Sequence, residues 1–152
     1  MAPSDFFNLI APAAKSSSVA TGIYASFTMA EAALESGWGE SGLAKTANNY
    51  FGVKADPSWT GDTVSIPTKE YLNEQWVTVE AQWRKYPDLL SCLSDHAQFL
   101  LDNPRYQPAF ATANVNDFTN AIAAAGYATD PQYAQKIMEI INFHNLTTYD
   151  GS

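Results

Sequence analysis

Apolar residues recur along this chain with two different periods. Near the start, Phe6, Phe7, Ile10 and Ala14 fall on one side of a helix that Ser4 or Asp5 can cap and that ends near Ser16-Ser17-Ser18. A second helical segment runs from about Ser26 or Thr28 to Ser36, with Thr28 and Glu31 at the spacing of a capping box and Ser26 competing for the cap. Gly42 to Asn49 reads as a loop or a short helical turn. From Tyr50-Phe51-Gly52-Val53 the period shortens. Thr63, Val64, Ser65 and Ile66 alternate, and Val77, Val79, Ala81 and Trp83 share a face opposite Thr78, Glu80 and Gln82. The two arms predict an antiparallel hairpin turning near Asn73-Glu74, inside an extended stretch of about 50–86. Helical spacing then returns: Pro87-Asp88 opens a run with Leu89, Leu90, Leu93, Ala97 and Leu100 inward, and Asn116 can cap a helix stopped by Gly126. Asp130-Pro131 supplies a cap and first-turn proline for a last helix with Ile137, Ile140 and Ile141 inward. Helices, a small antiparallel lobe and helices again make an α+β arrangement.

One stretch concentrates the candidate chemistry. Ala30 to Leu34 are strong helix formers, Glu35 follows, and Gly37 and Gly39 bracket Trp38 where the helix must stop. The last turn of a helix favours cations, so a carboxyl there, beside Ala30, Ala33, Leu34 and Trp38, is expected to keep its proton to higher pH than a solvated glutamate. A neutral carboxylic acid near pH 7 suits a general acid in glycoside hydrolysis. The same position also suits a surface glutamate at a fraying helix end, and the motif alone leaves both readings open.

Composition narrows the classes. The chain has 152 residues, 46% of them hydrophobic and 16% charged, which fits one folded domain over 1–152 with a core and no second module. Cys92, the single cysteine, can form no intramolecular disulfide and fits a buried small hydrophobe. The formal charge of −8 argues against nucleic acid. It also mildly opposes an anionic wall polymer as substrate, although screening over about 8 Å confines that objection to close range. No apolar run approaches a membrane span, and MAPSDFFNLIAPAA lacks the basic flank and continuous apolar region of a signal peptide. His96 and His144 stand too far apart in sequence for a zinc motif and read as helix-surface or packing residues, so neither metal nor cofactor is expected.

The run GIYASFTMAEAALESGWGESGLAKTANNYFGVKA, from Gly22, and the later AGYATDPQYAQKI resemble the peptidoglycan β-N-acetylglucosaminidases of glycoside hydrolase family 73. The likeness extends from about Ile10 to Tyr149. It implies a lysozyme-like build, a mainly helical body and small β lobe with a cleft between them, and an enzyme that cuts the glycan strand between N-acetylglucosamine and N-acetylmuramic acid. Glu35 matches the family's catalytic glutamate. Glu70 in TKEY matches a glutamate on the facing lobe that would position or activate water; a substrate-assisted route, in which the sugar's own N-acetyl group attacks, would leave it a supporting part. Tyr127 matches a tyrosine that reaches the cleft beside the acid, where it would orient the acid or the substrate's acetamido group. Tyr50 and Phe51 are the better candidates for lining the glycan groove, and Asn49 for bonding an N-acetyl group or shaping the turn. The chain departs from the family at Glu31, where glutamine is usual, and a structural hydrogen-bonding role is expected for it.

The competing readings are a muramidase or lytic transglycosylase on the same scaffold and a catalytically silent glycan-binding module. Action on the cell wall or in the periplasm requires delivery, by a holin, a specialised secretion machine or a larger protein. A phage lysin or an antibacterial effector is the favoured setting. An effector is expected to have a cognate inhibitor or immunity protein plugging the cleft.

Overall fold

The boundaries that place the site are set by left-handed residues and side-chain caps. The structure, a computed structural model, describes residues 1–151. Helix α1 spans Pro3–Thr21 and starts on its proline, whose missing N–H costs nothing in a first turn, so neither Ser4 nor Asp5 is its cap. It also continues through the three serines. Ser17 is buried, the Thr21 hydroxyl closes on the Ser17 carbonyl at 2.7 Å, and the chain turns only at Gly22, with φ 81°. Phe6, Phe7, Ile10 and Ala14 form its buried side as predicted.

Helix α2, Ala25–Ser36, runs through the middle of the core and is buried on nearly every side, which an amphipathic surface helix is not. Its N-terminus corrects the capping-box expectation. Tyr24 occupies the cap position without a side-chain bond, and the Asp150 carboxylate accepts from the Ser26 N–H at 2.8 Å and the Ser26 hydroxyl at 2.5 Å. Glu31 is thereby left for another purpose. At the far end Gly37 adopts φ 57°, while the Ser36 hydroxyl donates to the Ala32 carbonyl and accepts from the Gly39 N–H at 2.8 Å. Trp38 is left-handed as well, φ 60°, held by edge contacts to Phe6 and Phe7.

The short helix α3, Gly42–Ala47, is capped by Ser41 and ends on left-handed Asn48. Strands β1, Thr63–Leu72, and β2, Gln75–Arg84, form a two-stranded antiparallel hairpin in which Glu70 faces Val77 and Thr63 faces Arg84. Asn73 and Glu74 are both left-handed, at φ 51° and 63°, the conformation of a two-residue hairpin turn at the predicted place. Helix α4, Leu89–Asp102, is capped by Asp88, which accepts the Ser91 N–H at 2.8 Å, as predicted. Leu90 points outward, 45% exposed, and Cys92, Leu93, His96, Ala97 and Leu100 are its buried residues.

A 3-10 segment, Pro104–Ala111, leads to α5, Val115–Ala124, whose cap is Asn114 and not Asn116; the Asn114 side chain accepts the Asp117 N–H. Gly126 then turns the chain at φ 85°. Asp130 accepts the Gln132 N–H in the turn before α6, Tyr133–Phe143, so this helix opens later than the Asp130-Pro131 pair predicts. Ile137 and Ile141 are buried and Ile140 half-buried. A closing 3-10 turn, Leu146–Tyr149, returns the chain to the start of α2. The fold is α+β and lysozyme-like. No helix among the described residues is long and apolar enough to cross a membrane.

Candidate active site

Two concavities meet at one side chain. The first, about 300 Å³, lies between the base of the hairpin and α4 and is lined by Phe51, Val53, Lys54, Arg84, His96, Phe99 and Tyr127 among others. The second is a groove of about 540 Å³ lined by Leu34, Glu35, Tyr127, Ala128, Thr129, Asp130, Tyr133 and Lys136. Tyr127 belongs to both, because Gly126 ends α5 and leaves a short connection that aims the phenol between α2 and α4.

Glu35, one residue from the end of α2, opens onto the second groove. The residue as a whole is solvent-exposed, yet its carboxyl is partly enclosed by the groove. That partial burial, and then the charge of Glu31, raise its pKa above the ordinary carboxylic range, with His96 opposing. The raised proton affinity expected from the helix end is present, with enclosure and a neighbouring carboxylate as its leading causes.

Glu31 lies one turn earlier and is entirely buried. Its Oε1 accepts a hydrogen bond from the Tyr127 hydroxyl and sits 3.1 Å from His96 Nε2. The same imidazole nitrogen lies 3.2 Å from the Tyr127 oxygen, so carboxyl, phenol and imidazole form a closed triangle. Phe51 stacks flat on the far side of His96, ring centres 3.9 Å apart and planes 13° apart, and fixes the imidazole's orientation. Burial first, and then the Glu31 charge, drive the Tyr127 pKa far above the phenol range. Tyr127 is therefore a permanent hydrogen-bond donor and neither a base nor a nucleophile. The Tyr133 hydroxyl and Glu31 Oε2 are buried without a hydrogen-bond partner, and Tyr133 also lines the groove of Glu35.

His96 is a buried packing histidine, as one of its two expected readings has it, and it also meets Glu31 and Tyr127, a contact the sequence reading did not foresee. Glu31 has the hydrogen-bonding role expected of it, with Tyr127 and His96 as partners.

The remaining candidates divide. Glu70 lies on the half-buried face of the hairpin with Thr68 and Ile66, and its Oε1 is 3.1 Å from Lys54 Nζ, which lines the first cavity. Phe51 lines that cavity directly. Tyr50 turns the other way, into the core, where its ring meets Phe6 and its N–H points at Cys92 Sγ. Asn49 is buried with its amide fully engaged: Nδ2 donates to the Val53 and Arg84 carbonyls, both at 2.9 Å, and Oδ1 accepts the Val53 N–H at 3.0 Å. Asn49 and Tyr50 therefore shape the loop and the core and do not line the groove, because backbone groups and packing already use the atoms a sugar would need.

Comparison with known proteins shows the family. Residues 11–146 match the glucosaminidase family, described as mannosyl-glycoprotein endo-beta-N-acetylglucosaminidase. The chain belongs to the glucosaminidase family of glycoside hydrolases. It is 38% identical to the peptidoglycan hydrolase FlgJ of Vibrio parahaemolyticus over 91% of this chain and 46% of that protein. It is also 38% identical to the exo-glucosaminidase LytG of Bacillus subtilis, over 82% of this chain and 45% of that one. The chain thus spans less than half the length of these relatives. Among solved structures, the catalytic domain of the autolysin Auto from Listeria monocytogenes superposes with a TM-score of 0.88 at 35% identity, covering 97% of this chain and 87% of that one.

Proposed function

We propose that residues 1–152 form one catalytic domain that hydrolyses peptidoglycan at the β-1,4 bond joining N-acetylglucosamine to N-acetylmuramic acid. The observation behind the reading is Glu35, a carboxyl of raised proton affinity opening onto a groove beside the buried Glu31–Tyr127–His96 triangle. Glu35 gives its proton to the glycosidic oxygen as the bond from the sugar carbon to that oxygen breaks. Glu70, on the facing lobe and paired with Lys54, takes a proton from the incoming water, and the hydroxyl adds to the sugar carbon. Tyr127 holds its phenol at the junction of the two concavities, where its oxygen can meet the substrate's acetamido group while its O–H stays hydrogen-bonded to Glu31. The place of action is the cell wall, with delivery as a phage lysin or antibacterial effector the favoured setting; in the effector setting a cognate inhibitor would occupy the cleft.

Mass spectrometry of digested sacculi tests the reading. Fragments ending in reducing N-acetylglucosamine are expected from the wild type and none from Glu35→Gln. Reducing N-acetylmuramic acid or anhydro-muramic ends would overturn the bond assignment, and equal rates for the two proteins would overturn the enzyme reading.

A further inference from the structure

The chain has eight Lys and Arg residues against sixteen Asp and Glu, so cations gathered in one place require a reason. Three of the eight, Lys54, Arg84 and Arg105, line the single cavity between the hairpin and α4, with two acids, Asp56 and Asp95. Arg84 uses both acids, at 2.8 Å to Asp95 and 3.4 Å to Asp56, and donates to the Lys54 carbonyl at 3.1 Å. Lys54 is paired with Glu70. Arg105 alone of the three has no acidic partner among the described residues, so it is the cavity's one uncommitted cation among them, in a protein of formal charge −8.

Arg105 is exposed at this cavity and lies over its neighbour's ring. Its guanidinium carbon lies 5.1 Å above the ring of Tyr106, itself buried, and Nη1 passes close over Gly126, where an added Cβ would come within 4.0 Å. A guanidinium over a ring still has its N–H edge to offer to a planar, bidentate anion, which favours a carboxylate. Tyr127 is the partition between this cavity and the groove of Glu35, so a strand bound across Glu35 carries its neighbouring sugar toward Arg105.

We infer that Arg105 forms a carboxylate-recognition site for the acid substituent of the sugar adjoining the cleaved bond. The inference rests on the proposed peptidoglycan hydrolysis and adds the group that binds the substrate's charge. Two sources offer that chemistry: the lactyl ether carboxylate of a muramic acid stripped of its peptide, and the carboxylates of an attached stem peptide. Either would also explain how so acidic a protein tolerates an anionic polymer at close range.

The test compares wild type, Arg105→Gln and Arg105→Lys on three substrates: neutral N-acetylglucosamine oligomers, glycan strands stripped of peptide, and intact peptidoglycan. Co-sedimentation with chitin, stripped sacculi and intact sacculi is measured in parallel. Arg105→Gln is expected to raise KM about tenfold on a carboxylate-bearing substrate with kcat nearly unchanged, the scale of one charge-assisted hydrogen-bonded contact. Arg105→Lys falls between, added salt narrows the gap, and the neutral oligomers are cleaved as before. A loss on stripped strands identifies the lactyl group; a loss on intact material alone identifies the stem peptide. Equal changes on all three substrates, or none on any, overturn the inference. Should the wild type cleave none of them, the hydrolase reading fails by itself and sedimentation decides. Arg105→Gln is then expected to pellet less with sacculi and equally with chitin, and equal pelleting with both overturns the assignment.

Discussion

The Glu31 carboxyl and the His96 imidazole meet at 3.1 Å inside the protein, one on the helix that bears Glu35 and the other on the helix that walls the cleft. An acidic side chain with no exposed surface has to be met by donors, and here the donors are His96 and Tyr127. The pair ties two helices together and puts negative charge one turn from Glu35.

Glu31→Gln keeps the shape and removes that charge. Glu31 outweighs His96 in setting the proton affinity of Glu35, so the substitution is expected to lower it. The protonated, working form of Glu35 then persists over a narrower range, and the basic limb of kcat/KM against pH moves toward acid. A merely structural role for Glu31 would lower thermal stability and leave that limb where it is.

Glu35→Gln is expected to lower kcat by about 10²–10⁴-fold, the scale of one general-acid contribution. It also has a stability signature. A carboxyl whose folded pKa is raised stabilises the fold fully below the ordinary carboxyl pKa, and that contribution is lost as pH rises through the folded value. The amide has nothing to lose, so at neutral pH the variant should melt above the wild type and at acid pH the difference should close. Melting curves at the two pH values check the sign.

Tyr127→Phe removes the phenol proton that Glu31 accepts and the oxygen shared by both concavities. We expect kcat to fall about 10–100-fold, with a smaller change in KM, since one buried hydrogen bond to a charged group is worth about 1.5–3 kcal/mol. Steady-state kinetics on sacculi separates the two parameters.

Asn49→Ala is expected to act on stability instead. Three backbone groups, the Val53 N–H and carbonyl and the Arg84 carbonyl, lose their partner at once. A cost of about 2–4 kcal/mol in urea unfolding follows, with KM for glycan unchanged in the folded fraction. A raised KM at unchanged stability would restore Asn49 to the substrate groove.

Asp150→Ala strips the cap from α2. The loss expected is about 1 kcal/mol, within the range for helix caps, and a melting point lower by about 2–4 °C in a domain of this size.

Local signals made much of the architecture legible. The two-residue turn at Asn73-Glu74, the period-two hairpin arms, the Asp88 cap and the Gly37 stop are each written within a few residues, and the structure places them where the sequence does. Remote partnerships were illegible for the same reason. Asp150 caps a helix 124 residues upstream, and Tyr127 reaches Glu31 across 96. His96 stands in an ordinary amphipathic pattern on α4, and only the crossing of α4 with the other elements gives it a carboxyl to meet. Glu31 and Tyr127, both singled out by the family resemblance, were the sequence clues to this triangle, and their contact was not foreseen. Asn49 took the turn-shaping half of its two readings, while Tyr50, next to Phe51, turns into the core, and neighbours in sequence gave no sign of that divergence.

The cap on α2 also bears on how the domain is made. Its carboxylate is synthesised 124 residues after the serine it holds. While the nascent chain is short of residue 150, the helix bearing Glu35 lacks this cap at its first turn. A protease that trims the segment after the last groove residue leaves every groove residue in place and the helix beneath them slightly less stable.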